Sequence, residues 1–249
     1  MSGQTKIATD MASNNYIDTG KVVSEELANF ALGLSLADIP DEVVRHALLC
    51  ITDATGIAFA SHGYPFADKG IKASTNLGSY GEGLVIGYEK TLDCRDAALI
   101  NGLLIHGLDY DDTHSESVIH ATASSLPTVI AGAEIWDATP SELLLAYIIG
   151  VETSARIGLV SGGKFQKAGF HPTGLIGIFG STLAASRIAK LSIPQIVSAQ
   201  GIALSMASGS MQFLEDGSWT KRIHPGLAAQ SAVNACSLAK ENFKGPSDA

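Results

Sequence analysis

Cysteine is scarce in this 249-residue chain: Cys50, Cys94 and Cys236 are odd in number, widely separated and outside any CxxC pattern. That excludes a disulfide framework and points to a reducing compartment. Basic runs are missing as well. Sixteen Lys and Arg against 25 Asp and Glu give a formal net charge of −9, which argues against a nucleic-acid-binding or anionic-membrane surface. Surface charge is screened over about 8 Å at physiological salt, so a local basic pocket can still take an anion. No run of 18 uncharged apolar residues occurs, since even Leu143–Val160 is interrupted by Glu152 and Arg156. A soluble, cytoplasmic protein without membrane contact is expected. Residues 1–18 lack both a cationic start with an apolar core and Arg-rich amphipathicity. They are predicted to form a disordered arm ahead of one domain over 19–249. Internal repeats, low-complexity linkers and the HExxH, Cys/His and EF-hand metal patterns are absent too.

What the chain has is helical periodicity. With 46% hydrophobic residues it can bury a substantial core. Start signals recur: Asp38 before Pro40 and Asp41, the capping box Thr139-Pro140-Ser141-Glu142, and Ser192 before Pro194 and Gln195. After Asp38, apolar residues at Val43, Val44, Ala47, Leu48, Ile51, Ala54 and Ile57 follow helical stripes and do not alternate. Helices are predicted over Val22–Leu34, Asp41–Ser61, Ala67–Leu77, Asp96–Gly107, Leu126–Trp136, Ser141–Val160, Leu175–Lys190, Pro194–Met206 and Leu227–Asn242. One short strand or hairpin is allowed at Gly83–Gly87, with Asp93 capping the next helix. The fold class is all-α. Gly174, Gly177 and Gly180 each cost about 1 kcal/mol in a helix relative to Ala, so close helix packing or approach to a ligand should compensate. Apolar faces such as Leu143–Ile149 and Leu175–Leu183 suggest self-association.

Ionisable side chains concentrate in Asn101–Ser124, which carries His106, His114 and His120 with Asp109, Asp111 and Asp112. If the preceding helix runs on, Asp109 and Thr113 share a face, with His106 one turn earlier. That supply suits general acid/base chemistry on a polar substrate, because His titrates near neutrality. A helix end running into a solvated loop is the plainer alternative. A metal held by His114 and His120 with Asp111 or Asp112 is the sharper one.

Two helix starts add cations and imidazoles. His171-Pro172-Thr173-Gly174 precedes one, and Lys221-Arg222-Ile223-His224-Pro225-Gly226 precedes another. Unpaired N–H groups and the positive end of the helix dipole favour anions there, and Lys221 or Arg222 would make a carboxylate site. The dipole also biases His171 towards its neutral, basic form. A structural cap at His171-Pro172 and a solvated loop at Lys221-Arg222 remain open, although Trp219 just before weakens the latter.

These stretches, HGLDYDDTH (His106–His114), GFHPTGLIGIFGSTLAASRIAKL (Gly169–Leu191) and DGSWTKRIHPGLAAQSA (Asp216–Ala232), resemble the MmgE/PrpD family. That family includes 2-methylcitrate dehydratase, cis-aconitate decarboxylase and iminodisuccinate epimerase, and the resemblance spans Val22–Pro246. It implies a large all-helical domain whose α+β lid has no counterpart in these residues. It further implies a site without cofactor or essential metal, and homodimers. By resemblance, the decarboxylase-type catalytic set maps onto Asp109, Thr113, His120, His171 and Lys221; Arg222, His224 and His106 beside them are expected to bind substrate.

The function expected from this is a lyase domain, dehydratase or decarboxylase, acting on a small di- or tricarboxylate and inactive without its lid. The alternatives are an epimerase or isomerase of an amino or imino dicarboxylate, which starts from the same enolate-like carbanion, and a non-catalytic helical subunit paired with a separate lid chain.

Overall fold

A computed structural model describes residues 22–248, so the expected arm over 1–18 lies outside the described residues. In chain order the helices are α1 (Val23–Gly33), α2 (Asp41–Ser61), α3 (Pro65–Asn76), α4 (Cys94–Ile105), α5 (Thr122–Trp136) and α6 (Pro140–Ser161). The single turn α7 (Lys164–Lys167), α8 (Pro172–Ile188), α9 (Ile193–Met206) and α10 (Thr220–Lys240) follow, and 3₁₀ turns lie at Leu36–Asp38 and Met211–Leu214. The fold is all-α, with no sheet among the described residues.

The capping chemistry is largely as the sequence indicates. Thr139 and Glu142 close a capping box on α6, Ser192 and Gln195 another on α9, and Asp93 accepts from Arg95 N at the start of α4. Asp38 differs: it bonds Ser35 within the 3₁₀ turn, while Pro40 is the residue ahead of α2. The expected strand at Gly83–Gly87 is reduced to one bridge between Gly83 and Leu92. Helix side chains take its backbone groups instead. Asn101 bonds both Leu84 O and Ile86 N, and Glu134 accepts from Leu84 N, so no partner strand is needed.

α8 is the buried axis, packed between α6, α5 and α10. Its glycines let neighbouring helices approach. A Cβ at Gly177 would stand 2.5 Å from Ser124 Oγ of α5, and one at Gly180 would collide with the Gly150 carbonyl of α6. Close packing therefore offsets their low helix propensity. Leu145, Tyr147, Ile149, Ile176, Ile178 and Leu183 are all buried within the chain. The faces expected to drive association are thus used internally. Exposed apolar side chains lie elsewhere, on α2 (Val43, Leu48, Leu49, Phe59) and at Val160. α2 and α6 are long and apolar enough to cross a bilayer, but half of the α6 stretch is buried in the bundle against 22% for α2. α6 is a core helix by its packing, and α2 carries an open flank. All three cysteines are free thiols.

Candidate active site

α4 ends at Ile105 with His106 as its C-cap, so the helix does not run on and Asp109 and Thr113 share no helical face. The chain turns instead. Gly107 lies where a Cβ would come within 2.6 Å of the Phe66 ring and 2.8 Å of Ser61 Oγ, so only glycine fits. Asp109 adopts a left-handed φ of 60°, a conformation that Asp tolerates better than most residues. Strain of this kind gathers at functional sites.

Three groups hang from this turn. The Asp111 side chain is fully buried, and its oxygens lie 2.9 and 3.1 Å from His106 Nδ1. A carboxylate only accepts, so His106 carries its proton on Nδ1. Its Nε2 is buried without a protein partner. Asp111 also reaches within 3.5 Å of His120 Nδ1, and Thr113 Oγ1 stands 3.2 Å from the same nitrogen. His120 Nε2 faces Asp109 at 3.7 Å, placing this imidazole between two carboxylates.

The other half of the site comes from α8 and α10. His171 precedes α8, as expected. Lys221 and Arg222 lie inside the first turn of α10 rather than in a loop before it, and His224 follows one turn along. The helix expected from Leu227 therefore starts earlier, at Thr220, with Pro225 and Gly226 inside it. Here Gly226 lies directly against the Leu99 backbone of α4, and that tertiary contact outweighs the bond Pro225 forfeits. The starts of α5 and α8 likewise precede their predicted positions by a turn. Both oxygens of Asp109 lie 2.6 Å from Lys221 Nζ, across 112 residues of sequence. Arg222 Nε donates to Gly107 O, and its guanidinium sits 5.0 Å from the Phe66 ring centre.

The imidazoles of His106, His120, His171 and His224 form a continuous group. His106 stacks on His171 at 5.6 Å and meets His120 edge-on at 4.8 Å, while His171 and His224 pair through their Nδ1 atoms at 3.1 Å. One of those two nitrogens must donate and the other accept, so the pair shares a single Nδ1 proton and offers one Nε2 base and one Nε2–H. Burial, reinforced by the charges of His106, His224, Lys221 and His120, pushes His171 down to about 2. Burial and His106 lower His224 as well. The sequence reading reached a neutral His171 through the helix dipole; desolvation is the larger cause. For Asp109, burial acts to raise the pKa, but the Lys221 hydrogen bond and charge outweigh it and hold the carboxyl below its usual range.

Every residue proposed from sequence for catalysis or substrate binding thus lies in or beside this cluster. Asp111 was not among them; its signal is the spacing of five after His106, which a turn, and not a helix, converts into contact. Of the metal ligands considered, His114 turns away to accept from Ser117 N. The donors that do converge are His106, Asp109, Asp111 and His120, whose ligand atoms all lie within 4.8 Å of one another. That set is of a type that suits a divalent cation, although the Lys221 ammonium already supplies a positive charge at Asp109.

Fold and site together define an all-helical domain that gathers four imidazoles with Asp109, Asp111 and Lys221. A family model described as the MmgE/PrpD N-terminal domain matches residues 25–249, and the chain belongs to that family. It is 30% identical over 228 residues to cis-aconitate decarboxylase of Aspergillus terreus, covering 89% of this chain and 46% of that protein. It is also 30% identical to the cis-aconitate decarboxylase of Mus musculus, over 90% of this chain and 47% of the mouse protein. To the cis-aconitate decarboxylase-like protein oryM of Aspergillus oryzae it is 28% identical, over 90% of this chain and 48% of that one. The chain spans about half the length of the curated relatives it matches.

Proposed function

We propose that this chain carries the acid–base machinery of a lyase that decarboxylates or dehydrates a small di- or tricarboxylate of the cis-aconitate or 2-methylcitrate kind. The observation that carries the reading is the buried His171–His224 pair, neutral at physiological pH, within one turn of Lys221 and Arg222. Lys221 and Arg222 hold substrate carboxylates, aided by His224 and His106. His171 or His120 moves the proton, and Asp109 and Thr113 orient and polarise. In decarboxylation the electrons of the breaking C–C bond stay on carbon as CO2 leaves, and a histidine N–H returns a proton to that carbon. In dehydration a neutral imidazole removes the C–H proton while a second group protonates the departing hydroxyl, so water leaves. Both pass through an enolate-like carbanion that a nearby cation stabilises.

Asp109 and Lys221 keep an open side, 54% and 26% exposed. We expect turnover when a further segment, in this chain or another, closes over them, in a cytoplasmic homodimer without a cofactor. Candidate di- and tricarboxylates incubated with such an assembly should release CO2 or water. Loss of optical activity without either product would mark an epimerase instead. The converging His106, Asp109, Asp111 and His120 donors support a second, metal-assisted reading. Loss of activity on chelation, restored by one divalent ion, would establish it.

A further inference from the structure

We infer that a second cavity beside the histidine cluster binds the non-reacting end of the substrate and selects a carboxylate bearing a flat ring. This rests on the carboxylate reading above. The cavity, about 270 Å³, lies on the other side of the Gly107–Tyr110 turn and shares Gly107 and Arg222 with the cavity holding His106, Asp109 and Lys221. Its walls gather aromatics in a chain that has only 6% of them. Tyr64 stacks on Phe66 at 5.9 Å, and Trp219 meets Phe66 edge-on at 6.4 Å. Trp219 and Tyr64 are 43% and 50% exposed, and Tyr110 is 80% exposed. Aromatic surface left open around a cavity is a recognition feature more than a packing one.

The two cations of α10 are used differently. Lys221 is shared with Asp109 in a partly exposed pair, whereas Arg222 is bonded only through Nε, to a backbone oxygen, and forms no ion pair among the described residues. Its terminal nitrogens are available for a bidentate carboxylate bond. An anion there stands at the boundary between the two cavities, so the remainder of its carrier must enter one or the other. The His side suits the reacting carbons. The Tyr64 and Trp219 side, an open cleft whose surface mixes aromatic rings with polar atoms, suits a flat ring.

The test uses succinate and phenylsuccinate, which differ by one phenyl group, titrated calorimetrically into the chain and its variants. Phenylsuccinate should bind about tenfold more tightly than succinate, the gain of one ring packed against aromatic neighbours. Tyr64→Ala and, separately, Trp219→Ala should cut that ratio to about threefold or less while succinate binding stays within about twofold. Tyr64 provides the independent check should the change at Trp219 disturb the start of α10. Equal affinities for the two ligands, rejection of phenylsuccinate, or a preference that survives both variants would overturn the inference and leave the carboxylate reading standing. Failure of both ligands to bind would overturn that reading, and this inference with it.

Discussion

The starts of α8 and α10 are two versions of one local device, a chain entering a helix with its first N–H groups unpaired, and they carry opposite electrostatics. At α8 the leading side chain, His171, is buried and held neutral by desolvation and neighbouring positive charge. At α10 two cations lead, Lys221 paired with Asp109 and Arg222 without an ion pair among the described residues. Burial, more than position on the helix, keeps the leading imidazole neutral at α8, while the leading cations of α10 stay charged.

Four substitutions or titrations separate these roles. The largest effect is expected at α8: in an active assembly His171→Ala should lower turnover by about 10²–10⁴-fold, the usual contribution of a positioned acid or base, with substrate binding nearly retained. If steady-state kinetics and titration show binding lost and turnover kept, His171 is only a cap. Next, Lys221→Ala removes a charge-assisted bond worth about 1.5–3 kcal/mol, so carboxylate affinity should fall roughly 10–150-fold. An unchanged dissociation constant would place the anion entirely on Arg222.

The third effect is on stability. In the folded chain His171 and His224 stay neutral below their ordinary pKa of 6.5, while the unfolded chain takes up protons. The unfolded state therefore binds more protons as pH falls below about 6.5, and stability drops by up to about 1.4 kcal/mol per pH unit for each histidine. Above that pH their contribution is fully present and flat. Urea midpoints from pH 8 to 5 should show this fall, and His171→Asn should make it shallower; an equal slope in the variant would mean that His171 titrates normally. The smallest effect is expected from chelation. With Lys221 already placed at Asp109, exhaustive EDTA treatment should leave the activity of the complete assembly unchanged.

Much of this architecture was legible in the residues. Helical spacing after Asp41, the capping boxes at Thr139 and Ser192, and the placing of His171 ahead of α8 depend on local chemistry that the sequence carries directly. What sequence could not show was tertiary. Gly226 and Pro225 read as the end of a loop, yet sit inside α10 because α4 demands a residue without a side chain at that crossing. Asp109 and Thr113 read as one helical face, but the chain leaves the helix at His106 and brings Asp109 to Lys221 through a left-handed turn. Asp111 read as a loop residue or metal ligand. Its burial beneath His106 depends on that same turn.

The central claim is that His171 is a neutral base in the folded chain. Its most direct test is nitrogen NMR of the 15N-histidine-labelled protein, with His171→Asn used to assign the ring, followed from pH 8 to 5. The ring nitrogens of His171 should keep neutral-imidazole shifts across that range, one carrying the proton and the other not, while histidines of the urea-unfolded chain titrate near 6.5. A His171 that gains its second proton with a midpoint near 6.5 in the folded chain would contradict the account.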